Sequence, residues 1–357
     1  MFIRVENDPN NRLFVSYKEG NIDEFKKALE DGCNPNCVAD LGLPLLTFIM
    51  YDTIEKEEKI IFFEELIKHD VFIGPIGSNP SAVHEAIDSY FPNKYFELLI
   101  TKTCDKNNNL NELTSEDMFY ALRKVYNSNI SNGEKIIIMA KHANDLSLIN
   151  EKGDGLIHSL LSFGDDFVTK ECLPYFIEKG SLVTHKNSNG LDSFFIAIKT
   201  KQDEKIFDIM LAAGADINCR GTDNRTVLME SVLQGNIKTT KYLLKHNPSI
   251  DLVDDFGQTA IIFAGKSSFD SLKILVEYGG DLSFVDNEGH TALHYFAEIT
   301  KFSNEEINFL AKHKDLLFIE DSGGVTSMDI MKMQRKPDLY KKLVKLLDHE
   351  NDMVNSN

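Results

Sequence analysis

Two segments of the chain have residue spacings that could support metal chemistry. His84, Glu85 and Asp88 spell H-E-x-x-D, which would place the first and last residues on one helical face as ligands and the glutamate as general base. No third ligand is evident nearby, so a structural role for His84 is the alternative. His290 and His294 are also four residues apart, but His290 falls in a predicted turn before the helix. Neither segment is predicted to bind a metal.

Other residues that often carry chemistry are isolated in this sequence. The sequence lacks the patterns G-x-x-x-x-G-K-[ST], G-x-G-x-x-G and G-x-S-x-G, which are typical of phosphate binding and acyl transfer. The cysteines are scattered without a C-x-x-C pair, which indicates reduced thiols; they are Cys33, Cys37, Cys104, Cys172 and Cys219. We therefore expect a protein that is not an enzyme and uses no cofactor.

Charge and hydropathy exclude several classes of partner. The chain of 357 residues has 38 basic and 56 acidic side chains, a formal net charge of -18. This excess makes attraction to phosphate backbones or anionic lipid unfavourable, so no nucleic-acid partner is expected. The N-terminus lacks the pattern of a signal peptide, and no apolar run approaches the ~20 residues that span a bilayer. We expect a soluble, cytoplasmic protein without membrane insertion.

The elements that position these residues recur along the chain. Equivalent starts of a first helix fall at Asp192, Thr226, Thr259, Thr291 and Thr326, at intervals of 34, 33, 32 and 35 residues. The three middle threonines could cap the first helix of each copy. Gly214, Gly279 and Asn247 follow the second helix, where a left-handed residue ends it. One such helix pair cannot bury its own apolar face, so neighbouring copies must stack.

A period close to 33 residues with a turn and two helices resembles the ankyrin repeat. The segments that carry the resemblance are GADIN at 214–218, GQTAIIFA at 257–264 and GHTALHYFA at 289–297. The resemblance implies an all-α ankyrin-repeat solenoid of about nine to ten helix-turn-helix units with hairpin-like connecting turns. It also implies that His84, His158 and His294 bind the backbone of the turn and do not act as ligands.

The repeat frame extends backwards with less regular spacing. Candidate helix starts are Asn11, Leu43, Ser81, Glu116 and Gly155. We predict diverged N-terminal repeats with longer loops at 1–185, regular repeats at 186–323, a capping repeat at 324–349 and a flexible tail at 350–357. The cap has a basic outer side, because a terminal repeat must be polar where it has no neighbour; its residues are Lys332, Arg335, Lys336, Lys341, Lys342 and Lys345.

What is known of the family implies a noncatalytic scaffold that binds a protein partner through turn tips and the exposed side of the first helices, with no small-molecule ligand. The corresponding partner-binding positions are Ser188, Asn189, Leu191, Lys199, Thr200, Thr222, Asp223, Arg225, Leu233, Gln234, Asp255, Phe256, Gln258, Lys266, Asn287, Glu288, His290, Glu298 and Ile299. Phe256 and Arg225 are the predicted anchors, because aromatic and arginine side chains most often carry interface energy. Packing of Phe256 onto a neighbouring turn is the alternative.

The sequence leaves open two further hypotheses about function. The degenerate stretch 101–150 could interrupt the array as an enzymatic insertion or a partner-specific wedge, although it offers no catalytic constellation. The diverged repeats also resemble those of intracellular bacterial pathogens and protists. The protein could therefore be a translocated effector that binds a host protein in the host cytoplasm.

Overall fold

The computed structural model describes residues 9–37, 43–55, 59–69, 71, 82–88, 91–103, 115–127, 133–163, 166–298, 302–333, 341 and 343–345. The chain divides into two compact units, Met1–Leu182 and Val183–Asn357. They are called the N-terminal unit and the C-terminal unit below, and each is described by itself.

Helix pairs build the N-terminal unit. The pairs in its described residues are α1 (Pro9–Glu19) with α2 (Ile22–Glu30), α3 (Leu45–Glu55) with α4 (Ile60–Leu66), α5 (Ala82–Asp88) with α6 (Asn93–Thr103), α7 (Ser115–Asn127) with α8 (Gly133–His142), and α9 (Leu156–Phe163) with α10 (Asp166–Glu178). First helices of successive pairs pack on one another, as α3 does on α5 and α5 on α7. Fully buried phenylalanines such as Phe25, Phe62 and Phe96 fill the space between pairs.

The C-terminal unit continues the same plan. Its helices are α11 (Ser193–Lys199), α12 (Glu204–Ala212), α13 (Val227–Leu233), α14 (Ile237–Lys245), α15 (Ala260–Ser267), α16 (Phe269–Glu277), α17 (Ala292–Ala297), α18 (Asn304–Lys312) and α19 (Ser327–Met333). The first helices α11, α13, α15, α17 and α19 stack in a row, called the inner helices here. Isolated bridges such as Lys186 to Asp192 and Arg220 to Thr226 mark the hairpin turns between pairs. The predicted all-α repeat solenoid is confirmed.

All five predicted helix starts in the C-terminal unit are correct, because each helix begins directly after the predicted residue. The Asp192 side chain caps α11 by accepting from the Phe195 N–H at 2.8 Å. Thr226 does the same for α13 through the Met229 N–H at 3.3 Å. Thr259 also precedes its helix, but its hydroxyl makes no capping bond, so that part of the prediction is wrong. The left-handed helix ends are confirmed, with positive φ at Gly214, Gly279 and Asn247.

The helix starts of the N-terminal unit agree less well with the positions predicted from the sequence. Helix α9 begins directly after Gly155, as predicted, and α3 begins at Leu45, two residues beyond the predicted Leu43. Asn11 is wrong because α1 already includes Pro9, a residue whose fixed φ suits the first helical turn. Glu116 is also wrong. It lies in the first turn of α7, where its charge is favourable to the helix dipole. Ser81 lies outside the described residues.

The stretch 101–150 forms an ordinary helix pair in its described part. Helix α6 runs on to Thr103, and α7 and α8 pack against each other. Helix α7 also contacts α5 and α9, and α8 contacts α6 and α10. Residues 104–114 and 128–132 lie outside the described part. The hypothesis of an insertion that interrupts the array loses its motivation where helices are described.

Close approach between inner helices depends on small residues. A Cβ built on Gly265 in α15 would lie 2.2 Å from the carbonyl oxygen of Ala292 in α17. Real Cβ atoms do not approach backbone so closely, so glycine is required at this contact. Ala264 and Ala297, two further small residues of the inner helices, are fully buried.

The C-terminal end is described only in part. Helix α19 forms after Thr326, whose hydroxyl accepts from the Asp329 N–H at 3.1 Å. Lys332, Lys341 and Lys345 of the predicted basic side lie among the described residues, whereas Arg335, Lys336, Lys342 and the tail 350–357 do not. Within the described part of the chain, no helix is long and apolar enough to cross a bilayer.

Candidate functional site

The turns of the C-terminal unit are shaped by a side-chain oxygen at their base. Asp286 Oδ1 accepts the backbone N–H groups of Glu288 and His290 at 3.0 and 2.9 Å. Asp254 does the same for Phe256 and Gln258, at 2.9 Å each. Such Asx-type bonds fix a turn without help from its tip. The same arrangement recurs at Asn187 and Asp321.

Adjacent turns are joined by backbone hydrogen bonds. The Asp255 N–H donates to the Asp223 carbonyl at 3.0 Å, and the Asn287 N–H donates to the Phe256 carbonyl at 3.1 Å. The next link runs from the Ser322 N–H to the Glu288 carbonyl at 3.0 Å. We call this row of linked turns, residues 222–224, 255–257, 287–289 and 322–324, the turn edge. Its backbone is fixed on both sides of the Phe256 turn.

The turn at residues 222–224 departs from its neighbours. It is a single 3-10 turn in which Asp223 and Asn224 both have positive φ, where the other turns place glycine. The Asn224 side chain donates to Asp255 Oδ1 at 2.8 Å, which adds a side-chain link to the backbone link. A Cβ on the preceding Gly221 would lie 2.4 Å from the ring of Phe195, so glycine is required there.

Most residues predicted to bind a partner are accessible on the turn edge or the inner helices. The exposed ones are Ser188, Asn189, Lys199, Thr200, Thr222, Leu233, Asp255, Phe256, Lys266, Asn287, Glu288 and Glu298. The half-buried ones are Asp223, Arg225, Gln234, Gln258 and His290. Leu191 is only 7% exposed, because it precedes the cap residue of α11 and turns into the core, so its predicted exposure is wrong. Ile299 lies outside the described residues.

Arg225 lies at the junction of two repeats. Its Nη2 is 2.9 Å from Asp223 Oδ2 in its own turn. Its guanidinium lies 5.5 Å from the ring centroid of Phe263 in α15, within cation–π range. The predicted anchor is therefore already held by an ion pair and a ring, and one face of it remains accessible.

Lys266 lies over the equivalent ring one repeat further on. Its Nζ lies 4.0 Å from the ring centroid of Tyr295. Burial lowers the pKa of Lys266, although the carboxylates of Asp286, Asp254 and Glu288 act in the opposite direction. The ammonium group thus lies in a partly desolvated place, where burial outweighs the attraction of the nearby carboxylates.

His290 connects its own turn to the next one. Its Nε2 lies 3.2 Å from Asp321 Oδ2, and its Nδ1 lies 3.4 Å from Glu288 Oε2. His294, by contrast, is 1% exposed and accepts the Thr291 N–H on Nδ1 at 3.0 Å. His294 therefore has the structural role predicted for it. His158 shows the same bond, from the Gly155 N–H at 3.2 Å.

The metal alternative at H-E-x-x-D gains no support. His84 Nε2 lies 2.9 Å from Asp117 Oδ1 of α7, and its ring stacks on Tyr120 at a centroid distance of 4.0 Å. Asp88 instead accepts from Lys124 at 2.8 Å. Over the residues that the structure describes, no group of three or more His, Cys, Asp or Glu side chains is arranged to hold a metal ion.

Stacked helix pairs that are joined by hairpin turns place the protein in the class of helical repeat solenoids. Residues 194–284 match the family described as Ankyrin repeats (3 copies). The chain therefore contains ankyrin repeats, and the resemblance drawn from the sequence motifs is confirmed.

Curated relatives share moderate identity with parts of the chain. The Nuclear factor NF-kappa-B p105 subunit of Gallus gallus is 27% identical over 174 residues, which is 46% of this chain and 18% of that protein. A putative ankyrin repeat protein of Rickettsia bellii (strain RML369-C) is 26% identical over 166 residues, 42% of this chain and 91% of that protein. A putative ankyrin repeat protein of Acanthamoeba polyphaga mimivirus is 24% identical over 55% of this chain and 27% of its own length. The match thus spans less than a third of the chicken and viral proteins.

Proposed function

We propose that the chain is a noncatalytic scaffold that binds a protein partner through the turn edge and the accessible side of the inner helices in residues 188–298. Ankyrin repeats support a protein-interaction role in general. The observation that supports this particular surface is Phe256. Its ring is 53% exposed, yet its turn is bonded through backbone groups to the turns on both sides.

A fixed backbone with an exposed aromatic ring suits partner binding for an energetic reason. Association costs free energy when loops and side chains must be ordered, and a turn that is already bonded on both sides avoids much of that cost. Aromatic side chains dominate interface energies when they enter a pocket of the partner. Arg225 is also held in place, by Asp223 and Phe263, and 27% of its side-chain surface remains accessible to a partner.

The test is affinity capture with the full chain as bait, followed by quantitative mass spectrometry. The double variant Phe256→Ala and Arg225→Ala is expected to lose at least about tenfold of the specific captured protein, as for removal of two anchor side chains. Circular dichroism and the thermal midpoint check that the variant remains folded.

The matched control removes an aromatic and a cationic side chain elsewhere on the same unit. Tyr278 is 46% exposed at the end of α16, and Lys238 is exposed on α14. Tyr278→Ala with Lys238→Ala should leave capture within about twofold of the unchanged protein. If the two double variants behave alike, or if the Phe256 and Arg225 variant binds normally, the turn edge is not the binding surface.

The alternative of a translocated effector concerns the setting of the same binding function. The relatives come from a bird, a bacterium and a virus, so the comparisons favour no single setting. A translocation-reporter fusion tests it directly, because signal in host cells supports delivery and its absence counts against delivery.

A further inference from the structure

Asp254 has a buried carboxylate oxygen for which the described residues provide no hydrogen-bond donor. The residue is 5% exposed, and its Oδ1 accepts the two backbone N–H groups that shape the turn. Its Oδ2 is enclosed and accepts no hydrogen bond from any described residue. A buried carboxylate oxygen without a donor is unusual, because desolvation of the charge is then uncompensated.

The neighbouring turn shows which hydrogen-bond donors Asp254 lacks. Asp286 occupies the same place, and its Oδ2 accepts the Tyr295 hydroxyl at 2.7 Å and the Gln258 amide at 3.2 Å. The residue nine positions after Asp254 is Phe263, whose ring has no hydroxyl.

Asp254 also lacks an equivalent of the Gln258 amide, which is the second donor to Asp286. Gln258 directly precedes the cap position of its helix, and the residue at that position one repeat earlier is Arg225. Arg225 directs Nη2 to Asp223 instead, at 2.9 Å. Two substitutions in neighbouring repeats therefore leave Asp254 Oδ2 without the hydrogen-bond donors that Asp286 Oδ2 has.

This carboxylate lies at the base of an exposed turn that carries an acidic and an aromatic side chain. Asp255 is exposed directly beside Phe256, and the ring of Phe256 is 53% exposed. Burial lowers the pKa of Lys266, and the carboxylates of Asp286 and Asp254 act in the opposite direction, so these carboxylates lie close enough to attract a cation at this surface. The net charge of -18 adds a long-range attraction for basic partners.

We propose that the turn at residues 254–256 binds an arginine or lysine side chain of the protein partner. The aliphatic part and the cationic head of that side chain lie against the Phe256 ring, and the carboxylates of Asp254 and Asp255 attract its charge. Asp254 acts through its field and need not be touched. This inference rests on the proposed function, because it names the chemistry of a partner at the same surface.

The first experiment selects binders from a displayed library of random peptides of about 16 residues, with the full chain as target. Peptides whose binding is lost in Phe256→Ala with Arg225→Ala are sequenced. These peptides are expected to be enriched about threefold or more in arginine and lysine, as electrostatic complementarity requires. Equal or lower basic content than in the unselected library overturns the inference.

A selected synthetic peptide is then titrated against single variants. Asp254→Asn retains an oxygen for the two turn bonds and removes the charge, so affinity should fall about tenfold. Asp270→Asn removes an equal charge from the outer helix α16 and should change affinity less than about twofold. Equal effects of the two substitutions would show that only net charge matters.

A second variant avoids any loss of folding. Phe263→Tyr adds a hydroxyl where Tyr295 serves Asp286, and it should weaken peptide binding about threefold while the thermal midpoint stays unchanged or rises. Unchanged affinity with a raised midpoint would contradict the role of Asp254.

Failure of the two proposals can be told apart. If no peptide depends on Phe256 and Arg225, the proposed function fails at this surface. If peptides depend on these residues but lack basic side chains, only the present inference fails.

Discussion

In the C-terminal unit, neighbouring turns are joined by backbone hydrogen bonds. In the N-terminal unit, the first helices of successive pairs are joined by hydrogen bonds between side chains. The Tyr17 hydroxyl donates to Asp52 of the next pair at 2.7 Å. Tyr51 donates to Glu85 in the pair after that. Further along, Tyr120 of α7 donates back to Asp88 of α5.

This difference decides which side chains of each unit remain exposed and available to a partner. Backbone links leave Phe256, Asn287 and Glu288 exposed on the turn edge. In the N-terminal unit, Tyr17, Tyr51 and Tyr120 donate hydrogen bonds to carboxylates of a neighbouring first helix. The binding surface that we propose therefore lies in the C-terminal unit, and three predictions test the comparison.

The largest effect is expected from Gly289→Ala. Gly289 has φ of 81°, and a Cβ there would lie 2.8 Å from the Ser322 nitrogen of the next turn. Backbone strain and this clash should together lower the free energy of unfolding by about 3 kcal/mol. Urea denaturation of the full chain measures it.

Gly324→Ala is the matched control for that substitution. Gly324 has nearly the same φ, 74°, but a Cβ there meets nothing within 4 Å. The cost should be about 1 kcal/mol, from backbone conformation alone. Equal losses in the two variants would show that contact between turns contributes nothing, and the comparison would fail.

An intermediate effect concerns Lys135, a buried side chain of the N-terminal unit. It is 3% exposed, donates to the Ala86 carbonyl at 2.5 Å, and burial lowers its pKa to about 8. Between about pH 8 and 10.5 the unfolded chain binds a proton that the folded chain does not, so stability rises with pH. Relative to Lys135→Met, the unchanged protein should gain up to about 2 kcal/mol from pH 7 to 10.

Chemical denaturation at several pH values measures this gain. Lys141 lies on the same helix and is exposed, so the difference between Lys141→Met and the unchanged protein should stay level over that range. A level difference for Lys135→Met as well would mean that the lysine is not desolvated in solution.

The smallest effect is expected from Tyr17→Phe, which removes one hydroxyl of the side-chain links in the N-terminal unit. Loss of its bond to Asp52 should cost about 1 kcal/mol. Tyr242→Phe breaks a similar bond to Asp208 between outer helices of the C-terminal unit, 2.6 Å long, and should cost about as much. No measurable loss for Tyr17→Phe would remove the link between α1 and α3 from the comparison.

Local rules recovered much of the fold from sequence. The position before a helix favours Asp and Thr, and the residue after a helix must accept positive φ, so Asp192, Thr226 and Gly214 could be placed from their types and spacing. Asn11 and Glu116 were misplaced, because α1 already includes Pro9 and α7 begins one residue before Glu116.

The exposed residues of the proposed binding surface were predictable in outline and not in detail. Period and motif placed Phe256 and Asn287 on exposed turns. Leu191 was misplaced, because its neighbours in space decide its burial. The state of Asp254 depends on Phe263 and Arg225 together, which three-dimensional contacts reveal. Comparison of Phe263 with Tyr295 nine residues after each aspartate was the available sequence signal.

The backbone links of the turn edge have a consequence for variation. The bonds from Asp255 to Asp223, from Asn287 to Phe256 and from Ser322 to Glu288 use only main-chain atoms. Substituting a tip side chain therefore leaves these links in place. New partner specificities can arise, by natural drift or by laboratory grafting, through changes at single tips without rebuilding the array beneath them.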